Sequence, residues 1–219
     1  MSKQVPIQVL GVRHSRPTHR LMGAEEWLHG KRVSLRLLTL QDCTQRYVEW
    51  LNDAAVNLYL ETRWTPQNLI TVREFVKSLL GSNENYLFGM FVDQGVRHVG
   101  NIKVGPIRWM HASSELSYFV GERPMWGQGV ATEAIELATS FGFSRLGLHR
   151  VRAGVYESNV GSMRALEKAG FAKEAAFRKE LWCADHWEDH VWFGMIRSEW
   201  EARESRELGL KGQQVQRVP

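Results

Sequence analysis

The stretch Met125-Trp126-Gly127-Gln128-Gly129-Val130-Ala131-Thr132-Glu133-Ala134 carries a dense chemical signal. Two glycines flank Gln128, and an Ala-rich run of helical period follows with almost no spacer. The first amides of a helix have no partners and carry partial positive charge, and glycines let a phosphate approach them closely. The chemistry implied is pyrophosphate binding, although a tight turn without a ligand uses the same residues. Two phosphate motifs are excluded. There is no Gly-x-x-x-x-Gly-Lys-[Ser/Thr] loop, and Glu133 and Ala134 follow where a dinucleotide fingerprint needs a third glycine. His186-Trp187-Glu188-Asp189-His190 invites a metal reading. The surrounding Trp182, Trp192 and Phe193 favour strands, however, and at ~3.3 Å per residue the two histidines then stand about 13 Å apart, so no metal is expected.

The elements that must position the glycine stretch follow from periodicity. Residues 31–39 alternate Val33, Leu35 and Leu37 against polar neighbours, as a half-buried strand does. Residues 40–53 read as one helix, and 65–82 as another, capped by Thr65 with Pro66 in its first turn. Residues 85–93 form a nearly continuous apolar run, the signature of a central strand; 97–110 and 113–122 read as the next two strands. After the glycines comes a helix of about five turns with Ala131, Ala134, Ile135, Ala138 and Phe141 on one face. Residues 149–156 alternate again. A short helix follows, with Ser158 as cap and Gly170 as stop, then a closing strand pair over 171–181 and 187–200. This order specifies an α/β (α+β) domain with a mixed sheet of about seven strands and interleaved helices.

The bulk numbers set outer limits. With 219 residues the chain suits one domain, taken as 30–200, between a basic arm over 1–29 and a charged tail over 201–219 that starts helical. Lys3, Arg13, Arg16 and Arg20 all precede the first acid, Glu25. Such an arm can meet nucleic acid or anionic surfaces, but a solvated, flexible tail is the plainer expectation, with no nucleic-acid partner. No apolar run approaches bilayer length, the first 20 residues make a poor signal peptide, and Cys43 and Cys183 form neither a disulfide framework nor a metal motif. A cytoplasmic protein with no membrane partner is expected.

Residues 115–143 followed by 148–171 resemble the GNAT family of acyl-CoA N-acetyltransferases, most closely its Rim-type branch, which includes the ribosomal-protein N-terminal acetyltransferases. The family pattern Gln/Arg-x-x-Gly-x-Gly/Ala reads here Trp126-Gly127-Gln128-Gly129-Val130-Ala131, with Trp in place of Gln/Arg as is frequent in that branch. Asn159-x-x-Ser162 and Glu167-Lys168-Ala169-Gly170-Phe171 complete it, and the similarity spans roughly 31 to 200.

The resemblance implies the GNAT fold: a mostly antiparallel splayed sheet of about six or seven strands with about four helices. It implies acetyl-CoA as cosubstrate, its pantetheine against the backbone of Phe119 and Val120, and its pyrophosphate on the segment Trp126, Gly127, Gln128, Gly129, Val130, Ala131, Thr132. Asn159, Ser162 and Lys168 would add further contacts. The reaction is attack of a primary amine on the thioester in a ternary complex. Glu115 is the candidate base and acceptor contact; an exposed strand-end charge is the plainer role for it. Many members place a thiolate-protonating Tyr where this chain has Leu166, which leaves Ser162 or Tyr156 as candidate acid. Trp64 and Trp109 fall in segments that wall the acceptor groove in the family. The acceptor expected first is a small amine such as an amino sugar or nucleotide-linked amino sugar. A protein N-terminus, ribosomal included, is the alternative, and a non-catalytic acyl-CoA-binding module is the third. A homodimer is compatible with the resemblance.

Overall fold

The apolar run Tyr86–Val92 is buried at every position and forms the strand on which the rest of the sheet is built. The computed structural model describes residues 17, 20–23 and 25–215, with side chains as far as Arg206. Eight strands form one sheet: β1 Trp27–His29, β2 Ser34–Leu37, β3 Tyr86–Val92, β4 Arg97–Arg108, β5 Ser113–Val120, β6 Arg150–Tyr156, β7 Ala172–Cys183 and β8 His186–Ile196. Their order is β1-β2-β3-β4-β5-β6-β8-β7, and every neighbouring pair is antiparallel except β5 with β6. The helices are α1 Gln45–Asn52, α2 Ala54–Asn57, α3 Leu69–Leu79, α4 Val130–Ser144, α5 Val160–Lys168 and α6 Arg197–Val215.

The two faces of the sheet are covered differently. On one face α4 buries Ala134, Ile135, Ala138 and Phe141, and α5 buries Ala165 and Leu166, in one core with β2 to β6 and β8. On the other face α1 and α3 bury Tyr47, Val48, Trp50, Leu51, Val72 and Val76 over Leu38 and Leu87. This smaller cluster reaches β5 only through Phe119, so helices α1 and α3 leave that face of β6, β8 and β7 without a helical cover.

Several boundaries differ from those the sequence predicts. The sheet begins at Trp27, not near Gly30, because Trp27–His29 pairs with β2 and the Trp27 ring packs edge-on against Phe91, 5.3 Å away. The predicted helix over 40–53 breaks at Cys43, and α1 restarts under the Thr44 hydroxyl, which accepts from Tyr47 N–H. Helix α3 starts at Leu69, not at Pro66. Asn68 Oδ1 accepts from the amides of Ile70 and Thr71 while the Thr71 hydroxyl accepts from Asn68 N–H, a reciprocal cap that fixes the start. Asn159, not Ser158, caps α5. Strand β8 ends at Ile196, where Arg197 turns in to donate to Leu148 O and Phe143 O, and Trp200 on α6 stacks on Phe143 at 5.4 Å. Lys3, Arg13 and Arg16 of the basic arm lie outside the described residues. Arg20 is docked, donating to Leu79 O and Asn85 O with its guanidinium 4.8 Å from the Tyr86 ring centre.

Candidate active site

Strands β5 and β6 pair only over Ser113–Glu115 and Arg150–Arg152. Beyond Glu115 they part, and Leu116–Val120 keep β4 as their single partner. Backbone groups rarely stay unpaired when buried, so the opened edge is built to receive a substitute strand. Gly121 donates its N–H to Val99 O on β4, which fixes the alternation: the backbone of Phe119 turns toward β4 and that of Val120 toward the opening. This corrects the expectation for Phe119. Its backbone belongs to the β4 ladder, and its ring packs on the far face against Tyr47 and Trp50.

The glycine stretch sits at the mouth of that opening. Gly127 and Gly129 have φ of +73° and +82°, a left-handed conformation that suits glycine, and no atom lies within 4 Å of a Cβ built on either. Both glycines are therefore needed for the turn, and both leave clear space above the backbone. Gly129 is the N-cap of α4, and its carbonyl takes the first helical bond from Glu133 N–H, which leaves the amides of Val130, Ala131 and Thr132 outside the helical ladder. Gln128 folds back on the preceding turn, its Nε2 donating to Pro124 O at 2.5 Å and its backbone N–H to Met125 O at 3.4 Å.

Two interactions hold the loop to the sheet. The Trp126 indole N–H donates to Val120 O at 2.8 Å. It thereby takes one of the two backbone groups that Val120 turns to the opening and leaves the N–H for a ligand. Just upstream, buried Glu122 accepts from Arg46 Nε and Nη2 at 2.5 Å each and from Trp50 Nε1 at 2.8 Å, and the Arg46 guanidinium holds its carboxyl below the usual range. No local pattern marks this anchor, because the partners of Glu122 come from α1, 76 and 72 residues away in sequence. Replacing Trp126 by Phe removes one hydrogen bond of about 1 kcal/mol and is expected to weaken coenzyme A binding roughly fivefold in a calorimetric titration. Unchanged affinity would mean that the latch does not shape the loop.

Glu115 stands at the closed end of the opening, on the last paired rung, opposite Arg152. Arg152 Nη2 donates to Glu115 Oε1 at 2.6 Å, and the side chain is 39% exposed, so the carboxylate has one oxygen committed and one available. The ammonium of Lys103 is pushed below its ordinary value by burial, against the pull of Glu115. On β6 the residues Val151, Ala153 and Val155 enter the main core, so Arg152, Gly154 and Tyr156 face the side without helical cover.

Tyr156 therefore lies on the other face of the sheet from α5 and Ser162. Its hydroxyl donates to Glu61 Oε1 at 2.6 Å and accepts from Arg63 Nη2 at 2.8 Å. Burial and the Glu61 carboxylate push the phenol up to about 12. The structure does not bring it together with Ser162. Arg63 also donates to Trp182 O, the Cys183 thiol contacts Leu58 O at 3.9 Å, and the Tyr59 hydroxyl donates to Ser158 Oγ, whose own proton goes to Glu188 Oε1. These bonds dock the tip of the β7–β8 hairpin and the end of β6 onto the segment after α2. The result is an arch over the open face.

Trp64 stands at this arch, 57% exposed, with its N–H on Glu61 and the Arg63 guanidinium 4.2 Å from its ring centre. Trp109 does not. It sits in the turn between β4 and β5, at the closed end of the opening, and packs against the main core. Asn159 Oδ1 accepts from Ser162 N–H at 3.1 Å, so the side chain caps α5 while its amide nitrogen points elsewhere. Lys168 is exposed in the last turn of α5, about 13 Å along the axis from Asn159 at ~1.5 Å per residue. Tyr118, which no sequence motif singles out, places its hydroxyl 2.6 Å from Ser162 Oγ. His186 and His190 have separate partners, Glu188 and Glu180, and among the described residues no group of three potential ligands is arranged to hold a metal ion.

An extended thioester cofactor fits these features: an unpaired strand edge, a glycine cradle with open space, and a carboxylate at the inner end. Residues 32–172 match the model of the acetyltransferase (GNAT) domain. The probable N-acetyltransferase YjcK of Bacillus subtilis is 40% identical over 112 residues, covering 51% of this chain and 61% of its own length. Among solved structures, spermidine N-acetyltransferase from Vibrio cholerae in complex with CoA and spermine superposes with a TM-score of 0.69 at 20% identity, over 77% of this chain and 98% of that one. RimJ of Mycobacterium smegmatis in complex with CoA-disulfide gives 0.66 at 20% identity, over 76% and 83%. These two share the fold. The family match covers more than half of the chain and coincides with the opened sheet and its glycine cradle: this protein belongs to the GNAT acetyltransferase family.

Proposed function

We propose that the protein transfers the acetyl group of acetyl-CoA to a primary amine by direct attack in a ternary complex. The observation that carries this reading is the parting of β5 and β6 between the glycine cradle at one end and Glu115 at the other. In this reading the N–H of Val120 and the side chain of Asn159 take the pantetheine arm, and the amides from Gly127 to Thr132 take the pyrophosphate. Acetyl-CoA supplies an activated acyl group. Glu115 accepts the proton of the amine, directly or through water, since a free alkyl ammonium has a pKa of about 10 and cannot attack. Ser162 lies beside the thioester sulfur. Both cysteines are free and buried, which suits a cytoplasmic enzyme.

The acceptor favoured is a small amine, such as an amino sugar or nucleotide-linked amino sugar. Its support is the arch: bonds from Arg63 to Trp182 O and between Tyr59 and Ser158 narrow the entrance, and exposed Trp64 offers an aromatic plane beside it. The Rim-type pattern of Trp126 and Ser162 keeps a protein N-terminus as the second reading. An assay that follows free thiol across amino sugars, polyamines and peptides separates them. The proposal expects thiol release with at least one small amine and none with peptides. Release with peptides alone would favour the second reading, and binding of acetyl-CoA without turnover on any amine would mark a binding module.

A further inference from the structure

Tyr118 and Ser162 meet where strand β5 has left its partner and helix α5 lies against it. The Tyr118 oxygen is 2.6 Å from Ser162 Oγ and 3.2 Å from Ser162 O. Tyr118 is on the face of β5 that carries Leu116 and Val120, packed against the main core. Its single proton has two acceptors in reach, and the shorter contact is the stronger. A phenol is also a better donor than an aliphatic hydroxyl, and a serine oxygen a better acceptor than a phenol oxygen, which favours the arrangement in which Tyr118 donates to Ser162 Oγ. Burial pushes the phenol well above its ordinary value, so it stays neutral and keeps that proton.

This arrangement decides what the serine does. With one lone pair occupied by Tyr118, the Ser162 proton must point away from the tyrosine. A helical serine ordinarily donates to the carbonyl four residues back. Here that carbonyl belongs to Ser158, before the helix starts, and it already accepts from Val160 N–H. Ser162 N–H is in turn held by Asn159 Oδ1. Leu166, one turn further on the same face, is fully buried and offers no polar group.

We propose that Tyr118 is a positioning residue that aims the Ser162 O–H at the acetyl-CoA sulfur and so supplies a fixed donor to the departing thiolate. The inference rests on the placement of Ser162 beside the thioester in the proposed function. Glu115 has by then passed the ammonium proton to solvent, and as the neutral amine nitrogen bonds to the acetyl carbon its second proton goes to Glu115. The C–S bond then breaks with its electron pair going to sulfur, and the Ser162 O–H hydrogen-bonds the resulting charge. Tyr118 loses no proton in this step.

The test uses product CoA and needs no acceptor. The thiol of CoA bound to the protein is titrated by its thiolate absorbance in the ultraviolet, for the wild type, Tyr118→Phe, Ser162→Ala and Ser162→Thr. A fixed donor at sulfur favours the thiolate, so the wild type and Ser162→Thr are expected to hold about tenfold more thiolate at a given pH than Tyr118→Phe or Ser162→Ala, which should coincide. In turnover, Tyr118→Phe should lower kcat about tenfold with KM for acetyl-CoA within about twofold, and the double variant should be no slower than Ser162→Ala alone. Titration of Tyr118→Phe together with the wild type, or losses that multiply in the double variant, would overturn the proposal. Failure of every protein to bind CoA would overturn it together with the proposed function. A normal titration series with no turnover on any amine would refute the proposed reaction and leave the Tyr118–Ser162 pair standing.

Discussion

Replacing Gly129 by tryptophan is expected to weaken coenzyme A binding about 100-fold or more while the protein remains folded. Gly129 has φ of +82° and nothing within 4 Å of its Cβ position, so the indole meets no protein atom at the backbone and occupies the space a phosphate would use. The left-handed conformation costs a non-glycine residue about 1–2 kcal/mol, a loss a domain of this size tolerates. The binding loss is larger because several amide-to-phosphate bonds go at once, each worth about 1.5–3 kcal/mol when the acceptor is charged. Two such bonds already amount to about 100-fold. The measurement is a calorimetric titration with CoA, with circular dichroism as the control for fold. Affinity within threefold of the wild type, in a folded variant, would remove the glycine loop from the site. Gly129→Ala gives a useful intermediate, since it carries the backbone strain with little obstruction.

Replacing Glu115 by glutamine is expected to lower kcat about 100-fold with little change in KM for acetyl-CoA. Removal of a positioned general base typically costs two to four orders of magnitude. Glutamine keeps the shape and can still accept from Arg152 through its amide oxygen, but it cannot take a proton from the amine. The Glu115–Arg152 pair is about one-third exposed on both sides, so its contribution to stability is small, about 1 kcal/mol or less. A melting temperature within a few degrees of the wild type is therefore expected. A kcat within threefold of the wild type would show that Glu115 is only a strand-end charge. If the base is real, raising the pH should partly restore the variant, because more of the amine is then deprotonated without help.

Much of the frame was legible because it depends on short-range patterns. The continuous apolar run Tyr86–Val92 could only be a buried strand, and the spacing of Ala134, Ile135, Ala138 and Phe141 could only be a core-facing helix. The glycines were legible because a left-handed turn at a helix start is local chemistry, whereas Asn159 and Ser162 entered only through the family resemblance, and the cap expected at Ser158 falls on Asn159. What escaped the sequence was set by tertiary partners. Strand β1 has three residues, too few to show alternation, and exists because β2 offers it an edge. The parity of β5, which turns Val120 and not Phe119 toward the opening, depends on how Gly121 meets Val99 on another strand. Tyr156 and Ser162 are six residues apart, yet β6 and α5 place them on opposite faces of the sheet. Trp109 reads as an aromatic wall until its turn is seen at the closed end. Tyr118 belongs to no motif and Trp126 is expected only as part of the pyrophosphate segment, and only the geometry reveals what the hydroxyl and the indole N–H touch.

The central claim is that the parted strands β5 and β6, with the glycine cradle at their mouth, form the acetyl-CoA site. A titration of isotopically labelled protein with CoA, followed amide by amide in nuclear magnetic resonance spectra, tests it most directly. The account predicts that the amides of Val120, Gly127, Gly129, Val130, Ala131 and Thr132 shift together and saturate at one affinity. An open surface pocket of about 680 Å³ lies between α6 and the segment Gly170–Ala172, lined by Met195, Ser198 and Ala202. Shifts confined to that pocket, with the amides of the glycine loop unmoved, would contradict the account.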